Sequence, residues 1–132
     1  MSYTPAKKTE QIAAYEPVKG AYRIRMDANE SFLQPTEEDR FAMAEAAAGV
    51  KFNRYPDPLA TELCADFAAL YGISPKYVTA GNGSDELISV IMSAFVQKGE
   101  KVITLSPDFS MYKFYSAITE TPCITIQKNE DM

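Results

Sequence analysis

Histidine and tryptophan are both absent from the 132 residues. Without imidazole, the chain lacks the side chain that most often serves as general base or metal ligand near neutral pH. A Ser-His-Asp or Cys-His nucleophile is therefore excluded within this stretch. Only two cysteines occur, Cys64 and Cys123, too few for a cysteine-built structural zinc site. Each falls in an apolar pattern, so both are expected as buried free thiols, and such sparse use fits a reducing compartment. Basic charge is also in short supply. The 13 lysines and arginines face 18 acids, for a net charge of -5 and a pI near 4.7. That balance leaves no electrostatic footprint for nucleic acid, although a helix terminus can still hold an anion locally. Long hydrophobic runs are lacking too. The longest, Leu87 to Val96, is interrupted by serines and falls short of the roughly 20 residues of a membrane span. The first fifteen residues are polar, with Lys7, Lys8 and Glu10, and have no apolar centre of the kind a secretory signal carries. A soluble cytoplasmic protein, bound to neither membrane nor nucleic acid, is the expectation.

What is present suits an ordinary core. Apolar residues make up 46% and charged residues 23%, which argues against a disordered chain. Residues 1–21 show little periodicity beyond one short helical turn expected around Thr9 to Tyr15. Tyr22, Ile24 and Met26 alternate with polar residues and predict a short strand over 22–27. Thr36 and Asp39 have the spacing of a capping box, with three acids in the first turn of an alanine-rich helix running to Ala48. Asp57 and Pro58 are expected to cap and open the next helix, whose stripe is Leu59, Leu63, Phe67 and Leu70. Gly72 ends it. Short strands are expected at 77–80, 102–105 and 123–126, with helices after Ser84 and over 109–119. Alternating strands and helices make the fold class α/β, and a sheet of three strands reads as part of a larger domain.

Three local features carry chemistry. The first is Gly81-Asn82-Gly83-Ser84 between a strand and a helix. Glycines permit a tight turn and a close approach by a ligand, and free amides at a helix start attract an anion. The Walker pattern lacks its lysine, and Glu86 stands where the dinucleotide pattern has its third glycine. On spacing alone, a helix start whose acids favour the dipole is the simpler reading. The second feature is the aromatic cluster Phe109, Tyr112, Phe114 and Tyr115, just past a strong strand, where ligands of α/β sheets tend to bind. One of these rings could stack on a flat cofactor, while core packing accounts for the others. The third is Asn53-Arg54-Tyr55-Pro56-Asp57, a stiff turn carrying an arginine and a tyrosine.

The order of these features resembles a known family. Asp27-Ala28-Asn29-Glu30, then Asn53 to Asp57, then Gly81-Asn82-Gly83-Ser84-Asp85-Glu86, then Ser106-Pro107-Asp108-Phe109-Ser110-Met111-Tyr112 resembles the histidinol-phosphate aminotransferases over about residues 15–127. The resemblance implies the amino-terminal part of a fold-type-I, pyridoxal 5'-phosphate-dependent transferase, whose large domain has three αβα layers. It implies residues 1–35 as an arm and substrate-side segment and residues 36–132 as an incomplete portion of the cofactor-binding domain. The implied partners are L-histidinol phosphate, 2-oxoglutarate and glutamate, in a homodimer. By resemblance, the amides of Ser84 and Asp85 bind the cofactor phosphate and Phe109 stacks on its ring. Tyr55 reaches the partner subunit's cofactor, and Asn29 borders the substrate.

Two departures bear on this reading. Ser31-Phe32 follows Asn29-Glu30 where the family often has Asn-Pro, so the substrate-side loop is expected to differ. The lysine that holds the cofactor covalently, an aspartate facing its ring nitrogen and an arginine for the substrate carboxylate all belong to family positions beyond Met132. No catalytic residue is therefore assigned within this chain, and the 132 residues alone are expected to be inactive and unstable. Other class I and II aminotransferases and the threonine-phosphate decarboxylases share the Gly-Asn-Gly loop and remain open. A non-catalytic binding or dimerisation module also remains open.

Overall fold

A computed structural model describes residues 4–10, 12 and 16–129. They form two compact units, one made of the described residues of Met1–Ala14 and Leu59–Met132, the other of Tyr15–Pro58. A 3-10 turn lies at Lys7–Thr9; of the turn expected around Thr9 to Tyr15, Gln11 and residues 13–15 lie outside the described residues.

The larger unit is α/β. Helix α2 (Thr61–Tyr71) leads through a 3-10 turn at Pro75–Tyr77 to α3 (Gly83–Phe95), β1 (Val102–Ser106), α4 (Met111–Ile118) and β2 (Cys123–Gln127). Strands β1 and β2 run parallel in register from Val102 opposite Cys123 to Ser106 opposite Gln127. A parallel pair needs a crossover, here supplied by α4. Helix α4 packs on both strands and on α3. Gly72 ends α2 at a left-handed φ of 64°, as a C-terminal glycine should. The turn before β1 closes through the Glu100 amide to the Gln97 carbonyl, 3.1 Å.

Three expectations are corrected. Residues 77–80 form no strand: Tyr77 closes the 3-10 turn, and the extended Val78 to Ala80 have no ladder partner among the described residues. The sheet therefore has two strands instead of three. Pro75 starts that turn, and a four-residue extended run gains little without a neighbour to accept its hydrogen bonds. Secondly, α2 begins at Thr61, not at Pro58. Ala60 adopts the left-handed conformation (φ 47°) and only then does the Cys64 amide reach the Ala60 carbonyl, 2.9 Å, so the right-handed helix cannot extend back to Pro58. Thirdly, the α2 stripe is not covered: Leu59, Leu63, Phe67 and Leu70 are exposed, and the buried apolar residues among those described are Cys64, Ala68 and Met92. Two strands and their helices offer too little opposing surface for these side chains. Cys64 is buried as expected, whereas Cys123 is half-buried, and both are free thiols.

The smaller unit holds α1 (Glu37–Gly49). The expected strand at 22–27 is absent, and these residues are exposed without secondary structure. Among the described residues of this unit no second strand is there to pair with them, and alternation alone cannot satisfy a backbone. Arg25 and Asp27 form instead a bidentate pair, at 3.2 and 2.9 Å, which holds the Asp27 carboxyl below its usual range. The capping box at α1 is as expected: the Asp39 amide donates to Thr36 Oγ1 (3.1 Å) and the Thr36 amide donates to Asp39 Oδ2 (2.9 Å). The Thr36 hydroxyl and amide lower the Asp39 pKa from 3.8. A depressed carboxylate pKa stabilises α1 above the unfolded value and loses that stabilisation as pH falls through the folded value. Titration of Asp39 by carboxyl NMR should give a midpoint below 3.8, and Thr36→Ala should return it toward that value and cost about 1 kcal/mol of helix stability. An unchanged midpoint in Thr36→Ala would contradict the cap.

Among the described residues, no helix is long and apolar enough to cross a membrane.

Candidate functional site

Helix α3 starts from an open loop. Gly83 takes a φ of +76°, a backbone shape that side chains rarely adopt, and a Cβ built there meets nothing within 4 Å. The Gly83 amide turns back to the Gly81 carbonyl, 2.9 Å. Asn82 occupies the N-cap position but makes no side-chain cap bond. The amides of Ser84 and Asp85 therefore fall in the first helical turn without a hydrogen-bond partner among the described residues. Their dipole end is suited to an anion.

Neither acid beside these amides bonds to them. Glu86 folds back so that its carboxylate accepts from the Asn82 amide. Gly81 makes this possible, because a Cβ at Gly81 would lie 3.0 Å from Glu86 Oε2 and from Leu87. Asp85 Oδ1 is buried without a partner. Ser84 stays exposed, so its hydroxyl is available beside the two amides. The capping box read from spacing at Thr36 is thus not repeated here; the cap residue leaves the turn unsatisfied.

The aromatic loop lies beyond the carboxyl end of β1. The Phe109 amide donates to Asp108 Oδ1 at 2.8 Å, and the Phe109 ring meets Tyr112 edge-on at 6.2 Å. Phe109 is 48% exposed, while Tyr112, Phe114 and Tyr115 are half-buried. Core packing therefore claims the other three rings and leaves Phe109 open to a ligand. A cavity of about 160 Å³ adjoins it, lined also by Thr104, Ser106, Asp108, Ser110 and Lys113. The Gly81–Asp85 loop and Phe109 lie in the same unit.

Tyr55 and Asn29 belong to the smaller unit. Tyr55 is fully exposed and borders, with Lys51 and Arg54, a cavity of about 510 Å³. The Arg54 amide bonded to the Lys51 carbonyl, 3.0 Å, shapes this turn. Asn29 is exposed at a left-handed φ of 50°, which asparagine tolerates better than most residues. Sequence reading missed two contacts: the Glu86 carboxylate on Asn82, and Lys128, whose Nζ donates to the Pro107 carbonyl at 2.9 Å. The first has a local four-residue spacing that could have suggested it. The second joins residues 21 apart, and no periodicity announces it.

The family model for aminotransferase class I and II matches residues 23–132. The chain belongs to this family. It is 38% identical over 125 residues to the histidinol-phosphate aminotransferase of Clostridium novyi (strain NT), covering 95% of this chain and 35% of that protein. The histidinol-phosphate aminotransferase of Caldanaerobacter subterraneus subsp. tengcongensis is 39% identical over 117 residues, covering 89% of this chain and 33% of its own. That of the archaeon Thermococcus gammatolerans is 37% identical over 129 residues, covering 93% and 36%. The chain thus spans about a third of the length of the curated relatives it matches. The open turn of α3 offers amide donors for an anion, and Phe109 offers a half-exposed ring.

Proposed function

We propose that this chain is the amino-terminal part of a pyridoxal 5'-phosphate-dependent aminotransferase that moves an amino group between L-histidinol phosphate and 2-oxoglutarate. The observation that carries this reading is the uncapped first turn of α3, with the amides of Ser84 and Asp85 free and Glu86 drawn onto Asn82. The residues present fit the phosphate end and one ring face of the cofactor. Ser84 and Asp85 would hold the phosphate through backbone amides, and the Ser84 hydroxyl would add a donor. Phe109 would cover the ring and exclude water from that face. Tyr55 would serve the partner subunit's phosphate, and Asn29 would border the substrate. When bound, the cofactor supplies the electron sink that amino-group transfer needs.

The same reading places residues 1–35 as an arm and substrate-side segment. Residues 36–132 become a portion of a fold-type-I large domain with three αβα layers. It also makes the working protein a cytoplasmic homodimer. The exposed stripe of α2 and the two-stranded sheet support a domain whose remaining strands and helices cover them.

The test is an amino-donor screen on the natural protein. L-Histidinol phosphate with 2-oxoglutarate should give glutamate, at a higher kcat/KM than aspartate does. Release of carbon dioxide from L-threonine phosphate, without glutamate formation, would replace this reading with a decarboxylase on the same fold.

A further inference from the structure

We infer that Lys128 is a positioning residue that sets the place of Phe109. This rests on the proposed cofactor site and adds to it a residue that touches neither cofactor nor substrate. Just past β2, Lys128 holds two consecutive carbonyls at the end of β1. Its amide donates to the Ser106 carbonyl at 2.8 Å and its Nζ donates to the Pro107 carbonyl at 2.9 Å. The amide bond continues the parallel ladder by one step, as any residue there would do. The ammonium bond is particular to a long cationic side chain, and a charged donor makes the stronger kind of hydrogen bond.

Pro107 has no amide of its own to anchor it, so its carbonyl is the backbone group through which that position can be held. Two residues on, Phe109 is fixed downstream by the edge contact with Tyr112 and by the Tyr112 amide on the Phe109 carbonyl, 3.3 Å. Phe109 itself is half open, so packing restrains only part of its ring. The Lys128 clamp adds a longer-range upstream restraint to the local one from the Phe109 amide on Asp108 Oδ1.

The experiment uses the natural protein with 4-fluorophenylalanine at position 109. In the cofactor-free form, wild type and K128R should each give one sharp fluorine resonance. K128M and K128Q, checked for native circular dichroism, should give a shifted or broadened one. Pyridoxal 5'-phosphate titration should then show dissociation raised about fivefold in K128M and K128Q, the scale of one ordinary hydrogen bond lost from an exposed loop, and restored in K128R. Unchanged fluorine spectra in K128M and K128Q would overturn the inference. If wild type bound no pyridoxal 5'-phosphate, the cofactor reading would fall, while the fluorine comparison would still decide whether Lys128 positions Phe109.

Discussion

Gly83→Val is expected to raise the dissociation constant for pyridoxal 5'-phosphate on the order of tenfold or more in the natural protein. The backbone at Gly83 sits at φ +76°, where a β-branched residue is strained by about 1–3 kcal/mol, and about 1.4 kcal/mol already corresponds to tenfold. Relief of that strain would reorient the amide that leads into the first turn of α3. A Cβ at Gly83 meets nothing within 4 Å, so the effect is expected from the backbone and not from a clash at Cβ. Gly83→Ala should show a smaller loss in the same direction. Cofactor titration with a melting curve for each variant checks this. Wild-type affinity in Gly83→Val would show that the turn does not hold the phosphate.

Phe109→Ala is expected to weaken cofactor binding by a similar factor, on the order of tenfold, through loss of ring-on-ring contact and the apolar area it covers. Because Phe109 is 48% exposed, its removal should cost the fold far less than removal of a core ring. The Tyr112 edge contact at 6.2 Å is the main packing that is lost. Phe109→Tyr should bind the cofactor nearly as wild type does. The measurement is the dissociation constant together with the visible circular dichroism of the bound cofactor. A destabilised fold with unchanged affinity would make Phe109 a packing residue only.

Local chemistry made some of this legible in the sequence. Thr36 and Asp39 cap α1 because their spacing specifies reciprocal bonds within one turn. Gly72 ends α2 because a left-handed residue is needed there. Val102 to Leu105 and Cys123 to Ile126 are rich in β-branched residues, which suit a pleated ladder, and they pair as expected. The strands expected at 22–27 and 77–80 were not legible in this way. Alternation states which face a strand would show, but pairing is a property of the neighbour, and among the described residues neither run has one. The start of α2 was misplaced because Asp57 and Pro58 form an adequate start in isolation, and only the left-handed turn at Ala60 moves the helix to Thr61.

Ser84, Asp85 and Phe109 were named from the order of motifs, while the exposure of their groups was a tertiary fact. Asn82 could have capped α3 and does not. Glu86 could have bonded the Ser84 or Asp85 amide, and its carboxylate instead meets the Asn82 amide. Phe109 could have joined Tyr112, Phe114 and Tyr115 in the packing, and it stays half open. Each outcome depends on where a side chain turns once the helices are placed.

The central claim is that the first turn of α3 is a phosphate cradle. Its most direct test compares pyridoxal 5'-phosphate with pyridoxal, which lacks only the phosphate, in equilibrium binding to the natural protein. Several charge-assisted bonds from the helix start should make the phosphorylated form bind tighter on the order of a hundredfold or more, and Gly83→Val should shrink that ratio. Equal binding of the two compounds would contradict the cradle and the function built on it.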